Sequence, residues 1–357
     1  MNQHDVFALT SELITYQAVT GAEKSVLDYL CKWFQQQDWS FEKIPVKDDS
    51  RYCILVKFGQ PRIVFTTHVD VVPAKPEQFQ PIVKEQDGDL ALFGRGACDA
   101  QGILCTMIAA CKQLEVEANK DFALLVVFEE EAGGLGAQSA AVALQNQGIE
   151  YIVNGEPTQN KLAVGHKGVV RFSVVAKGKN AHSGYPELGD DANRKLIEAA
   201  SQLYKLDCGK HPILGVGTIN IGEITGGTAH NIISDYAKME VMLRNVIDAE
   251  EMKERVIAAL DSDSESNLEL DESNLELDFL ILEDPVELEA LADLPSTVVS
   301  YYTDIPSFKV LNAKAVLYGP GDIARAHTDE EYILASEVKQ AIVDYQKIFK
   351  ALKKKLQ

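Results

Sequence analysis

IVFTTHVD, residues 63–70, opens on an apolar run and closes on two polar residues, His68 and Asp70. Turn residues bracket it, Gly59 and Pro61 before and Pro73 after. It reads as a short strand buried on both faces of a parallel sheet. Ligands of open α/β sheets sit beyond the carboxyl ends of the strands. At that edge, a His and an Asp two apart suit half of a metal site, a His–Asp catalytic pair, or a structural His at a strand end. Eight residues do not separate the three.

Working outward, FALLVVF (122–128) is a second buried strand, followed directly by EEEAGGLGA, and YIVN (151–154) is a third, ahead of the turn NGEPT. Helical patterns at 101–116 and 137–147 alternate with these strands, which predicts a mainly parallel sheet flanked by helices. Upstream lie amphipathic helices over 5–16 and 22–36, the second opened by a Thr20–Glu23 capping-box signal. Strands at 41–46 and 52–58 follow, and 73–89 reads as a polar loop. After Gly168 the pattern changes. Strands at 169–177, 216–224 and 236–246, with helices at 195–206 and 250–260, predict a smaller α+β domain with its helices on one face. Residues 265–271 and 272–278 repeat ESNLELD, which reads as a solvated acidic loop running into a strand at 276–282. From 285 the first pattern returns and ends in a helix at 334–355, closed by lysines that suit its C-terminus. The expected architecture is α/β, with a first domain of 1–167 plus 285–357 and an inserted domain of 168–284.

A chain of 357 residues is long enough to bury the cores of two domains. Its net charge of −20 argues against nucleic acid and anionic membrane surfaces as partners. No stretch approaches the roughly 18 apolar residues of a membrane span, and the N-terminus lacks the basic and apolar regions of a secretion signal. The six cysteines have no CxxC and no secreted-type spacing, so free thiols in a reducing compartment are expected. A cytoplasmic protein follows.

Four further polar positions fall at strand ends: Asp99 after GRGAC, the run Glu129–Glu131 after FALLVVF, Glu156 in NGEPT and His327 in GPGDIARAH. Singly they read as a helix cap, a solvated helix start and a surface His. Together with His68 they bring two His and several carboxylates to one sheet edge. Three adjacent carboxylates repel one another unless a cation sits among them, and mixed N/O ligation suits zinc, with cobalt or manganese possible. A pair of ions about 3.5–4 Å apart needs a shared carboxylate and a nearby base.

HVD (68–70), GRGACDAQG (94–102), EEEAGGLG (129–136), GEPT (155–158), GHKG (165–168), AHSGYPELG (181–189), HNIISD (230–235) and GPGDIARAHTDEEYI (319–333) occur in this order. On these motifs, which span essentially the whole chain, the sequence resembles the co-catalytic di-zinc family of acetylornithine deacetylases, aminoacylases, succinyl-diaminopimelate desuccinylases and glutamate carboxypeptidases. The resemblance implies two divalent metal ions, most simply zinc. It implies His68 and Glu156 on one, Glu131 and His327 on the other, and Asp99 bridging, followed by a non-proline cis peptide. It further implies Asp70 as the carboxylate orienting His68, Glu130 as general base, and His182 as an oxyanion-stabilising group reaching into a partner subunit of a homodimer. Asn231 and Arg244 resemble residues that bind a substrate carboxylate. The inserted domain would then serve dimerisation or act as a lid. The closest likeness is to acetylornithine deacetylase, implying hydrolysis of an N-acyl amino acid. A carboxypeptidase or dipeptidase on the same site is the alternative, and a non-catalytic relative the remote one. The chain departs from the family at Glu129 (usually Asp), Gln101 (usually Lys), and Met242 and Ser234 (often Asp and Pro).

Overall fold

The computed structural model of the chain describes residues 1–46, 48–261 and 275–357. The first ESNLELD copy and the start of the second lie outside the described residues. The chain divides into two compact units. One comprises Met1–Val164, Leu288–Thr297 and Thr303–Gln357, the other Gly165–Glu287 and Val298–Tyr302.

In chain order the first unit begins α1 (Gln3–Thr15), α2 (Lys24–Gln36), β1 (Phe41–Val46), β2 (Asp48–Phe58), β3 (Ile63–His68), β4 (Ile82–Gln86), β5 (Asp89–Phe93), α3 (Gln101–Val116), β6 (Phe122–Val127), α4 (Leu135–Leu144) and β7 (Tyr151–Asn154). β6, β3, β7 and the strand Lys314–Leu317 are parallel neighbours in that order. β2 and then β1 continue the sheet antiparallel beyond β6. Every residue of β3, β6 and β7 is buried, which is why each reads as an unbroken apolar run rather than an alternation.

Strand alternation assigns the two faces. Phe58 of β2 stacks on Phe122 of β6, with ring centroids 4.4 Å apart, and Phe122 meets Phe349 of the C-terminal helix Ala335–Lys355. Cys53, out of phase with Phe58, donates instead to the Gly136 carbonyl in α4. Helices therefore cover both faces. α3 is buried almost all round because it packs on β3 and β6 and also against α1 and the C-terminal helix.

Two local expectations need correction. The 73–89 loop holds a short 3-10 turn, Pro76–Phe79, and β4, which pairs with β5 around Asp87–Gly88. Both turn residues have positive φ, 53° and 83°, as a two-residue hairpin turn requires. β4 is exposed along most of its length, so no hydrophobic alternation marked it, and Asp-Gly was the legible signal. The Thr20–Glu23 capping box does not form either. Glu23 is the N-cap without a side-chain cap bond, because both side chains are used elsewhere, as described below.

The second unit is built on an antiparallel sheet ordered Thr218–Gly226, Tyr236–Arg244, Val169–Lys177, Leu275–Glu283. Along Tyr236–Arg244 alternate residues Ala237, Met239, Val241 and Leu243 are buried. They share a core with Leu196 and Leu203 of helix Ala192–Leu203 and with Met252 and Val256 of helix Ala249–Asp261. All six cysteines are buried and free. Among the described residues no helix is long and apolar enough to cross a membrane.

Candidate metal centre

Because β6, β3, β7 and Lys314–Leu317 run parallel, their carboxyl ends share one edge. His68 ends β3, Glu129–Glu131 follow β6, and Glu156 follows β7. His327 lies in the loop after Lys314–Leu317, and Asp99 in the loop between β5 and α3. Two of these loops are pinned to each other, since Thr158 Oγ1 donates to Gly319 O and accepts from Gly319 N–H. GEPT and GPGD thus form one structural piece. In the turn after β6, Gly134 takes φ +67° as the N-cap of α4, and a side chain at Gly136 would collide with the Phe128 backbone. One glycine serves the turn and the other a close packing.

The Asp99 carboxylate lies between the two histidines. Its Oδ1 is 3.2 Å from His68 Nε2 and its Oδ2 3.5 Å from His327 Nε2. His327 Nε2 lies 2.8 Å from Glu131 Oε1, and His68 Nε2 lies 4.0 Å from Glu156 Oε1. The Asp99–Ala100 peptide is cis. Nitrogen and oxygen ligands sit about 2.0–2.2 Å from a zinc-sized ion, so atoms sharing one lie at most about 4.4 Å apart. Donor atoms of His68, Asp99 and Glu131 all lie within 4.8 Å of one another. Glu156 Oε1 is buried with no hydrogen-bond partner, an orphan acceptor that a cation beside His68 would satisfy. The donor set fits two divalent ions sharing Asp99.

Electrostatics point the same way. Burial pushes the Glu130 carboxyl well above its usual range; His68 opposes this, and Asp304, Glu131 and Asp99 add to it. Glu156 is raised by burial and by Glu130. Burial alone would lower the pKa of His68, yet hydrogen bonds to Asp70 and Asp99 and the fields of Glu156 and Glu130 raise it well above normal. The cluster holds more negative charge than its own cations balance.

Asp70 meets both His68 and the turn after β6. The ring Nδ1 is 3.0 Å from the Asp70 carbonyl oxygen and 3.5 Å from its carboxylate. That carboxylate accepts from the N–H groups of Glu130 and Glu131 and from the Thr20 hydroxyl. Thr20 is thereby drawn away from capping α2.

Three supporting residues escaped the sequence reading. Glu331, with its carboxylate fully buried, accepts from Arg95 Nη1 at 2.5 Å and from the N–H groups of Gly96, Cys98 and Asp99 at 2.9–3.1 Å. It therefore ties the His327 loop to the Asp99 loop. The signal was available, since Arg95 and Glu331 both lie within the quoted motifs. Arg51 pairs with Glu129 and with Glu23. Asp304 precedes the short helix Ile305–Leu311 and is pushed by burial, with Asp70 adding, to about 7. An Asp before Ile-Pro looks like an ordinary helix cap, so nothing marked it.

His182, Asn231 and Arg244 belong to the second unit. His182 is exposed, and its Nδ1 accepts from Gly184 N–H at 3.0 Å, so a neutral ring carries its proton on Nε2. Asn231 is exposed, and its backbone carbonyl accepts from Ser183 N–H. Burial lowers the pKa of the Arg244 guanidinium, and no carboxylate among the described residues offsets it.

Residues 64–351 match peptidase family M20/M25/M40. A peptidase M20 domain-containing protein of Schizosaccharomyces pombe is 32% identical over 96% of this chain and 84% of its own length. A probable carboxypeptidase of Emericella nidulans is 30% identical over 96% of this chain and 88% of its own. Among solved structures, an M20 family metallo-carboxypeptidase of Sulfolobus solfataricus superposes with a TM-score of 0.78 at 16% identity, covering 97% of this chain and 99% of that one. At that identity the likeness concerns the fold. The chain belongs to peptidase family M20/M25/M40 and is a metallopeptidase-type hydrolase of amide bonds.

Proposed function

We propose, from that membership, that this protein cleaves the amide bond joining an acyl or aminoacyl group to an amino acid with a free carboxylate, as a carboxypeptidase of short peptides. The carrying observation is the Asp99 carboxylate lying between His68 and His327, with the half-buried Glu130 in their field. That similar fungal proteins are probable carboxypeptidases favours peptides over acetylornithine-type substrates. The shared scissile unit keeps N-acyl amino acids, acetylornithine among them, as the second reading.

His68, Glu156, Glu131 and His327 would hold two ions, most simply zinc, with Asp99 shared. When bound, such ions polarise a carbonyl and acidify water. Glu130 would take the proton of the attacking water and return it to the leaving amine, a task suited to a carboxyl whose pKa burial raises. Asp70 would keep the Glu130–Glu131 turn and the His68 ring in place. In a homodimer the Nε2–H of His182 would reach into the partner subunit's cleft and donate to the tetrahedral oxyanion there, and Asn231 and Arg244 would receive the substrate carboxylate, Arg244 through its fork. As an edge strand bearing exposed Ile224, Thr218–Gly226 supports a homodimer formed through the second unit. The exposed Ile197 and Tyr204 extend that surface. A reducing, cytoplasmic setting fits the six free cysteines.

A substrate panel of dipeptides, tripeptides and N-acetylated amino acids, assayed with zinc or cobalt added, tests the proposal. Release of the C-terminal amino acid from peptides is expected. Turnover of N-acetylornithine alone would replace the first reading by the second, and no turnover of any member would overturn both.

A further inference from the structure

Glu129 is the one member of the triple-glutamate run with no place either among the metal donors or as the base. Three consecutive carboxylates need cationic compensation, and for Glu129 that cation is an arginine. β2 and β6 pair antiparallel in a register that ends at Ile54 opposite Val126. Continued by three residues, that register sets Arg51 across from Glu129. Arg51 Nη1 forms an ion pair with Glu129 Oε2, and its guanidinium lies 4.4 Å from the centre of the Phe128 ring. Its Nη2 meets Glu23 Oε1 at 2.9 Å, and that oxygen also accepts from Gly21 N–H. The Glu23 side chain is fully buried, and Arg51's is about one quarter exposed. Glu129 itself takes φ +63°, a left-handed conformation uncommon for a residue with a side chain. From it the chain turns directly into Glu130 and Glu131.

The segment before α2 therefore reaches the same turn by two routes. Thr20 holds the Asp70 carboxylate, which accepts from the N–H groups of Glu130 and Glu131, while Glu23 holds Arg51, which holds Glu129. We propose that Arg51 is a positioning residue. Through Glu129 it fixes the turn that aims Glu130 at the reacting water and Glu131 at its metal ion. The glutamate side chain at 129 is long enough to span to the start of β2. The inference rests on the roles given above to Glu130 and Glu131. Partners outside the ligand shell commonly govern metal affinity or activity by about 10–100-fold.

Arg51→Met and Glu129→Gln, made singly and together in the full chain, test it by Co²⁺ titration of the metal-stripped protein, followed by visible absorbance, and by kcat and KM. Each single variant is expected to weaken the Glu131-dependent Co²⁺ step about tenfold and to lower kcat with KM nearly unchanged. The double variant should be no worse than either single one, and Arg51→Lys should recover much of the loss. Co²⁺ affinity and kcat within twofold of the parent in Glu129→Gln would overturn the proposal, as would independent, multiplying losses in the double variant. Glu129→Gln and Arg51→Lys decide the matter even if Arg51→Met fails to fold. Glu130→Gln serves as the control. Parent-like turnover in that variant sinks the base assignment, while the Co²⁺ titration still judges the Arg51 linkage separately.

Discussion

The two ends of the Asp99 carboxylate are built differently. At the His68 end the ring is 1% exposed and the Glu156 side chain 5%, and both residues continue buried, parallel strands. At the His327 end the ring is 47% exposed and sits in a loop at φ +62°, with Glu131 at 10%. That loop is held from outside, by Arg325 Nη1 donating to both Glu337 carboxylate oxygens and by Glu331 on the Asp99 loop. One end is fixed by the sheet and the other by tethers. A desolvated end binds a cation firmly because water competes poorly there, whereas a tethered, half-open end leaves room for a substrate and for exchange.

Breaking the chemistry common to both ends has the largest expected effect. Glu130→Gln should lower kcat by about 10²–10⁴-fold while metal content stays at the parent level. Retained turnover would place the base elsewhere. Breaking the tether comes next. Glu331→Ala leaves buried Arg95 and three N–H groups without their acceptor, and loss of one partner of a buried pair costs about 3–5 kcal/mol. Urea denaturation of the metal-free protein checks it, and a change under about 1 kcal/mol would show the tether to be dispensable. Breaking the ends separately sharpens the contrast. His327→Ala should lose one ion and regain part of its activity in excess Co²⁺, whereas His68→Ala should lose firm metal binding and not be rescued. Equal metal content in the two variants would mean that burial does not rank the ends.

How far each end was legible follows from the same contrast. The sheet end is local in sequence: His68 and Glu156 directly follow apolar runs whose burial is readable, and parallel strands must share an edge. That Glu131 would join His327 rested on the resemblance, since the loop carrying His327 is set by long-range tethers with no local pattern. Arg51 illustrates the limit. An arginine opening an apolar strand reads as a solvated charge, and only the β2–β6 register places it opposite Glu129. The DG hairpin was legible and overlooked because β4 buries almost nothing. The run Glu129–Glu131 suggests a single cationic partner, whereas in the structure Glu129 is met by Arg51 of β2.

The smallest expected effect separates the cluster's protons from its metals. In the metal-free protein, burial raises the carboxyl pKa of Glu130 and Glu156 and takes that of Glu331 to about 7. His68 is raised by Asp70 and Asp99 against its burial, and His327 by its hydrogen bond to Glu131. In every case the folded chain holds its proton more tightly than the unfolded chain. Their contribution to stability is therefore complete below the unfolded pKa values and is lost as pH rises through the folded ones. The melting temperature of the metal-free protein should fall by a few degrees between about pH 5 and about pH 8. Metal ions compete with those protons, so the rise in melting temperature on adding Zn²⁺ should grow over the same interval. Thermal scans at several pH values with chelator or Zn²⁺ measure both slopes. Because Glu156 is raised by burial and by Glu130, Glu156→Gln should flatten the metal-free slope. A metal-free protein that gains stability toward pH 8 would mean that the carboxylates are already compensated by cations of the chain itself.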